Sequence, residues 1–203
     1  MTRSALLLLL CLLAGCRTAG EAGGQPVTAA SGGPSGHQAT LLPGGTGIAF
    51  RGDITFGSAR ALLDLVRANP RVDQVRLESD GGYVHPALLV ANALQLRGAT
   101  TFVERSCLSA CTVLFVGGKR RYLAEGGELG FQRAGRDGGG EAEREAPAET
   151  NQELRARFIA RGVAPAFADR VLATPGSEMW YPTPEELLAA GVIDAVLPKG
   201  KQP

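Results

Sequence analysis

The sequence predicts an α/β domain whose largely parallel sheet is built from βαβ units. Three observations carry this expectation. Short β-prone runs alternate with helical periods, brief glycine-bearing turns join them, and the about 155 residues of 46–200 match one ordinary domain. Alternation of this kind makes parallel strands with right-handed crossovers the natural arrangement.

The elements follow in order. GIAFRGDI (47–54) is a short strand. SARALLDLVRANP (58–70) has helical spacing at Ala61, Leu62, Leu65 and Val66, with Ser58 as the expected N-cap and Pro70 as the stop. VDQVRLES (72–79) alternates as a strand and runs into Asp80-Gly81-Gly82. PALLVANALQLRG (86–98) is an amphipathic helix with Pro86 in its first turn and Gly98 beyond its end. ATTFVE (99–104) is a strand leading into CLSACTVLFVGGKRR (107–121). RRYLA (120–124) is another strand, and ELGFQR (128–133) is a short extended piece. Residues 134–150 are rich in Gly, Glu, Ala and Arg without a period and read as a mobile surface loop. Helices are expected at 152–162, 165–174 and 182–191, and VIDAVL (192–197) as a last strand.

The N-terminus has a separate logic. Arg3 precedes an apolar run from Ala5 to Ala14. Ten residues are too few to span a hydrocarbon core, which needs about 20, so 1–15 reads as a secretory signal. Its end, Leu13-Ala14-Gly15-Cys16, resembles the bacterial lipobox, in which the cysteine is acylated and becomes the new N-terminus. The resemblance implies an exported lipoprotein attached to the membrane through Cys16. Arg17 in the next position implies the outer membrane, facing the periplasm, in a Gram-negative host. Residues 16–45 are dominated by Gly, Ser, Pro and Ala and read as a flexible tether in which His37 is solvated.

Charge and cysteine content narrow the function classes. Cleavage before Cys16 removes Arg3 and no acid, leaving 20 basic side chains against 20 acidic ones, which argues against nucleic acid as a partner. Cys11 leaves with the signal and Cys16 takes lipid, so Cys107 and Cys111 remain. An exported pair four residues apart on a helical turn is within disulfide reach and brackets Ser109. A metal site is disfavoured, because no nearby histidine or second cysteine pair completes four ligands. No metal and no other cofactor is assigned. With aromatic residues at 5 % of the chain, no saccharide-stacking platform is visible.

Two turns, SDGGYV (79–84) and CLSACT (107–112), each follow a strand and open a helix. Both therefore belong at one edge of a parallel sheet. A glycine turn presenting backbone N–H groups beside a hydroxyl is what acyl transfer needs.

From Gly47 to Lys119 these elements resemble the proteolytic subunit of Clp protease and the wider Clp-crotonase superfamily, especially exported ClpP-like proteins with a C-x-S-A-C motif. Cys107-Leu108-Ser109-Ala110-Cys111 carries that motif, and Ser79-Asp80-Gly81-Gly82-Tyr83-Val84 matches the S-P-G-G-x-V turn with Asp80 in place of proline. The ending from Glu185 to Val196 is similar too. The resemblance implies a spiral of βαβ units, Ser109 as nucleophile, and oxyanion and binding roles for Gly81, Gly82 and Ala110. It also implies a peptide or acyl ligand and a homo-oligomer. Where the family places its general-base histidine this chain has Gln132, whose amide takes no proton at neutral pH. The orienting aspartate aligns near Met179, with Glu178 one residue away. His85, at the start of the helix after Gly82, is the alternative base, and Lys119 is too far along the chain from Ser109. Two readings follow: a serine hydrolase homologue with weak or altered activity, and a non-catalytic binding module that keeps the pocket.

Overall fold

The computed structural model describes residues 30–31, 36–135 and 148–203. The expected signal segment, Cys16, most of the expected tether and residues 136–147 of the expected loop lie outside them.

Among the described residues eight strands form one sheet in the order β1-β2-β3-β4-β5-β6-β8, with β7 also paired to β5. They are β1 (Ala30–Ser31), β2 (Gln38–Leu41), β3 (Gly47–Arg51), β4 (Gln74–Ser79), β5 (Thr100–Leu108), β6 (Arg120–Ala124), β7 (Glu128–Gly130) and β8 (Ala195–Leu197). From β3 onward every pairing is parallel, as the alternation predicts. The antiparallel β1–β2–β3 edge is not what composition suggested. The tether expected to reach Gly45 is shorter, because Gln38–Leu41 pairs with Ile48–Arg51 and buries Ala39 completely. His37 is accordingly half-buried, with its backbone against Gly52.

Helices α1 (Phe56–Ala68), α2 (Val84–Arg97) and α3 (Ala110–Val116) connect successive parallel strands. α1 starts earlier than Ser58. Thr55 is the N-cap and Ser58 the third residue of a capping box, each side chain accepting from the other's backbone N–H. α2 ends as expected, with Gly98 left-handed at φ 69°. All seven α3 residues are buried, and the helix approaches α2 so closely that a Cβ on Gly117 would lie 2.6 Å from the Ala91 Cα. The core is the apolar layer that these helices share with Val75, Leu77, Val103 and Leu123 of the sheet.

The C-terminal part consists of α4 (Ala148–Ala160), α5 (Pro165–Ala173) and α6 (Pro184–Ala189). Phe131, just past β7, packs edge-on against Phe158 and Phe167 and tilted against Trp180, which ties α4 and α5 to the β7 end of the sheet. Buried Arg121 donates to the Arg161 and Gly191 carbonyls that close α4 and α6. Burial lowers its pKa, against the opposing pull of Asp194. Paired strands β4 and β5 thus end at one sheet edge, where both glycine- and serine-bearing turns emerge.

Candidate active site

β5 leaves the sheet through Ser109 and enters α3 at once. Ser109 has φ 52° and ψ −124°, the one positive φ outside glycine among the described residues. A serine there costs on the order of 1–3 kcal/mol and persists only where its surroundings over-determine it. They do so here. Its N–H donates to the Gly130 carbonyl at 2.9 Å, and its carbonyl accepts from the Thr112 N–H at 2.9 Å and the Thr112 hydroxyl at 2.7 Å. A Cys107–Cys111 disulfide, with Cα atoms 5.2 Å apart and both residues fully buried, joins the last turn of strand to the first turn of helix across Ser109. A sharp strand-to-helix elbow of this kind turns a hydroxyl outward from the sheet edge.

The second turn packs on the first. A Cβ on Gly81 would lie 2.8 Å from the Ser109 Cβ, 3.0 Å from the Leu108 carbonyl and 3.2 Å from the Ala110 nitrogen, and Gly81 has φ +114°. Gly82, at φ +135°, lies so close to Ile54 that a Cβ would meet its carbonyl oxygen at 2.3 Å. The turn is tied down by Ile54 N–H to the Gly81 carbonyl and Tyr83 N–H to the Ile54 carbonyl, both 2.8 Å. The Gly81 N–H, expected among the oxyanion donors, is taken up by Ser79 Oγ at 3.0 Å, so the role of Gly81 is steric. Ala110 opens α3, where a helix has no acceptor for its amide. Among the described residues neither the Gly82 nor the Ala110 N–H makes a hydrogen bond; Ala110 directly follows Ser109, and Gly82 directly follows Gly81, which abuts it.

Gln132 completes the group. With Nε2 toward Ser109 its amide donates to Oγ at 3.2 Å, but Oε1 then faces two carbonyl oxygens. Turned by 180°, Nε2 donates to the Gly176 and Glu178 carbonyls at 3.1 and 2.6 Å, and Oε1 accepts from the Ser109 hydroxyl at 3.2 Å. Only the second orientation satisfies every polar atom, so Ser109 is the donor and Gln132 the acceptor. The amide is therefore held at both ends, one on the serine and the other on an orienting acceptor.

That acceptor is main chain. The Glu178 side chain is exposed, and Met179, near which the resemblance implies an orienting aspartate, packs its Cγ and Sδ against Gly130. Among the described residues the Ser109 hydroxyl bonds Gln132 and not His85, which is exposed in the first turn of α2 with its ring 6.2 Å from that of Phe56. Lys119 lies beyond the opposite end of α3. Among the described residues no three His, Cys, Asp or Glu side chains form a group that could hold a metal ion. The structure thus joins Ser109, Gly81, Gly82, Ala110, Gln132 and both cysteines, with Gln132 as the hydrogen-bond partner of the Ser109 hydroxyl. Sequence reasoning missed the Gly176 and Glu178 carbonyls, for which no residue-type signal exists. It also missed the exposed rings of Phe56 and Tyr83 beside the glycine turn.

No family model matches this sequence, and no curated protein matches it. Solved structures do match. A variant of the 1510-N membrane-bound stomatin-specific protease is similar over 73 % of this chain and 76 % of its own, with TM-score 0.56 and 18 % identity. Another variant of that protease, in complex with a substrate peptide, gives TM-score 0.57 and 19 % identity over 73 % and 72 % of the two chains. A ClpP1 variant from Listeria monocytogenes gives TM-score 0.60 and 12 % identity over 77 % of this chain and 94 % of its own. The parallel sheet, the order of its helices and these likenesses agree: the chain has a ClpP-like fold.

Proposed function

We propose that this domain is a serine hydrolase homologue that keeps the carbonyl-binding half of its site and has lost the proton-transfer half. Its ligand is a peptide or acyl carbonyl, held by the Gly82 and Ala110 amides beside Ser109 and turned over weakly or not at all. The carrying observation is the Gln132 amide between Ser109 Oγ and the Glu178 carbonyl. It reproduces the hydrogen bonding of a base without basicity, and general-base help is worth roughly 10² to 10⁴ in rate. A peptide ligand class is supported by the related fold described with a substrate peptide.

A fluorophosphonate probe tests this. Labelling should be at most slow and should vanish in Ser109→Ala. Rapid labelling of the native chain, lost in His85→Ala, would overturn the reading and identify His85 as a relocated base.

The exported, lipid-anchored setting is part of the same proposal and rests on the Leu13-Ala14-Gly15-Cys16 sequence. Among the described residues no helix is long and apolar enough to cross a membrane. Cys16→Ser should move the protein out of the detergent phase; unchanged partitioning would count against lipidation.

A further inference from the structure

α2 carries a surface that neither the core nor the candidate site uses. Its sequence, VHPALLVANALQLR, has one charged residue, Arg97, and apolar residues on every side of the helix. A helix apolar all round belongs inside a structure, yet α2 is covered only on the side that meets α1 and α3. Leu89 is 43 % exposed and Leu96, the most open large apolar side chain among the described residues, is 89 % exposed.

The spacing of this open side is that of a helix–helix seam. His85, Leu89, Asn92 and Leu96 follow one another in steps of four, three and four. Those steps keep side chains on one narrow stripe of a helix, along which a second helix packs knobs into holes. The stripe is also self-complementary. Turned end for end about a two-fold axis between Asn92 and Ala93, α2 sets Leu89 of each copy against Leu96 of the other, the reciprocal contact that a closed pair requires. A parallel pair would bring the two Arg97 charges together, whereas the antiparallel pair holds them at opposite ends. Asn92, beside the axis, is a polar seam residue of the kind that fixes register, and its Oδ1 accepts from Arg157. Asn92 and Gln95 also border an apolar hollow lined by Leu88, Val113, Val116 and Phe158, so the apolar surface continues from the stripe toward α4.

We propose that this face of α2 is a docking surface for a second copy of this chain, joined as an antiparallel two-fold pair through Leu89 and Leu96. The inference is independent of carbonyl binding. Interface cores are depleted in charge, as this helix is, and covering the leucines removes apolar surface from water. Few large side chains take part, so the pair is weak and forms reversibly. α2 begins two residues after Gly82, and at about 1.5 Å per residue the two glycine turns of a pair would stand roughly 30 Å apart, at opposite ends of the seam.

The test uses the full chain with Cys11→Ser and Cys16→Ser, which removes the N-terminal thiols and the lipid site and leaves Cys107 and Cys111 in their disulfide. Analytical ultracentrifugation from about 1 μM to about 1 mM, the range of weak contacts, should show monomer passing into dimer. Leu96→Asp should raise the dissociation constant about tenfold or more while leaving the thermal midpoint of the monomer unchanged. Mild oxidation should cross-link chains carrying both Leu89→Cys and Leu96→Cys into dimers. Leu96→Cys alone should not cross-link, because the two copies of that position lie roughly 10 Å apart along the seam, beyond disulfide reach. A folded chain that stays monomeric over the whole range would overturn the proposal, and so would association that survives Leu96→Asp. Cross-linking of the single variant as efficient as that of the double one would overturn the antiparallel arrangement. A monomeric chain that loses binding to phosphatidylglycerol vesicles on Leu96→Asp would give the surface to lipid instead.

Discussion

Replacing Gln132 by histidine should raise the rate at which a fluorophosphonate labels Ser109 by about two orders of magnitude, the lower end of what a positioned base supplies. The geometry needed is already in place. An imidazole following the path of the Gln132 amide would direct one nitrogen at Ser109 Oγ, now 3.2 Å from the amide. Its other N–H would face the Glu178 and Gly176 carbonyls, which receive Nε2 at 2.6 and 3.1 Å. Those acceptors fix the tautomer that leaves the serine-facing nitrogen unprotonated. They bear no full charge, however, so they stabilise the imidazolium less than a buried carboxylate does, and the gain stops short of the upper range. Ser109→Ala in the same background should remove the labelling. A folded Gln132→His protein that labels no faster than the native one would mean that the pocket is rebuilt for binding alone.

A large loss of stability is expected from Gly81→Ala. The added methyl would lie 2.8 Å from the Ser109 Cβ and 3.0 Å from the Leu108 carbonyl, all atoms without torsional freedom to withdraw. Alanine at φ +114° adds backbone strain that glycine does not carry. Overpacking and an incompatible backbone together should destabilise by about 3 kcal/mol or more. The denaturant midpoint measures this, and any protein that still folds should have its elbow displaced and should fail to label even with Gln132→His. Unchanged stability together with retained labelling in that double variant would show that the two turns are not in contact.

How much of this was legible depended on whether a feature resides in residue types. The parallel strands and α2 could be read from period and punctuation, because apolar spacing, Pro86 and Gly98 act locally. The Ser109 elbow and the disulfide were readable as C-x-S-A-C after a strand. The Gln132 position was readable as a departure from a pattern. The β1–β2 edge was hidden because QATL is too short to show a period and sits in Gly- and Ser-rich surroundings. The start of α1 was misplaced because two hydroxyl residues three apart both look like caps, and only the paired hydrogen bonds make Thr55 the first. The Glu178 carbonyl was invisible in principle, since every residue carries one and only the chain path aims it.

The direction of the Ser109 hydrogen bond has a consequence for which carbonyl compounds suit this pocket. A hydroxyl has one proton and two lone pairs, and here the proton is already pointed at Gln132 Oε1. Toward a ligand the serine can therefore only accept. On the proposed reading of the Gly82 and Ala110 N–H groups as carbonyl donors, a bound ligand would meet the serine as an acceptor and not as a donor. The resting hydroxyl is thus committed to Gln132 before any ligand arrives, and a ligand that needed its proton would have to displace that bond first.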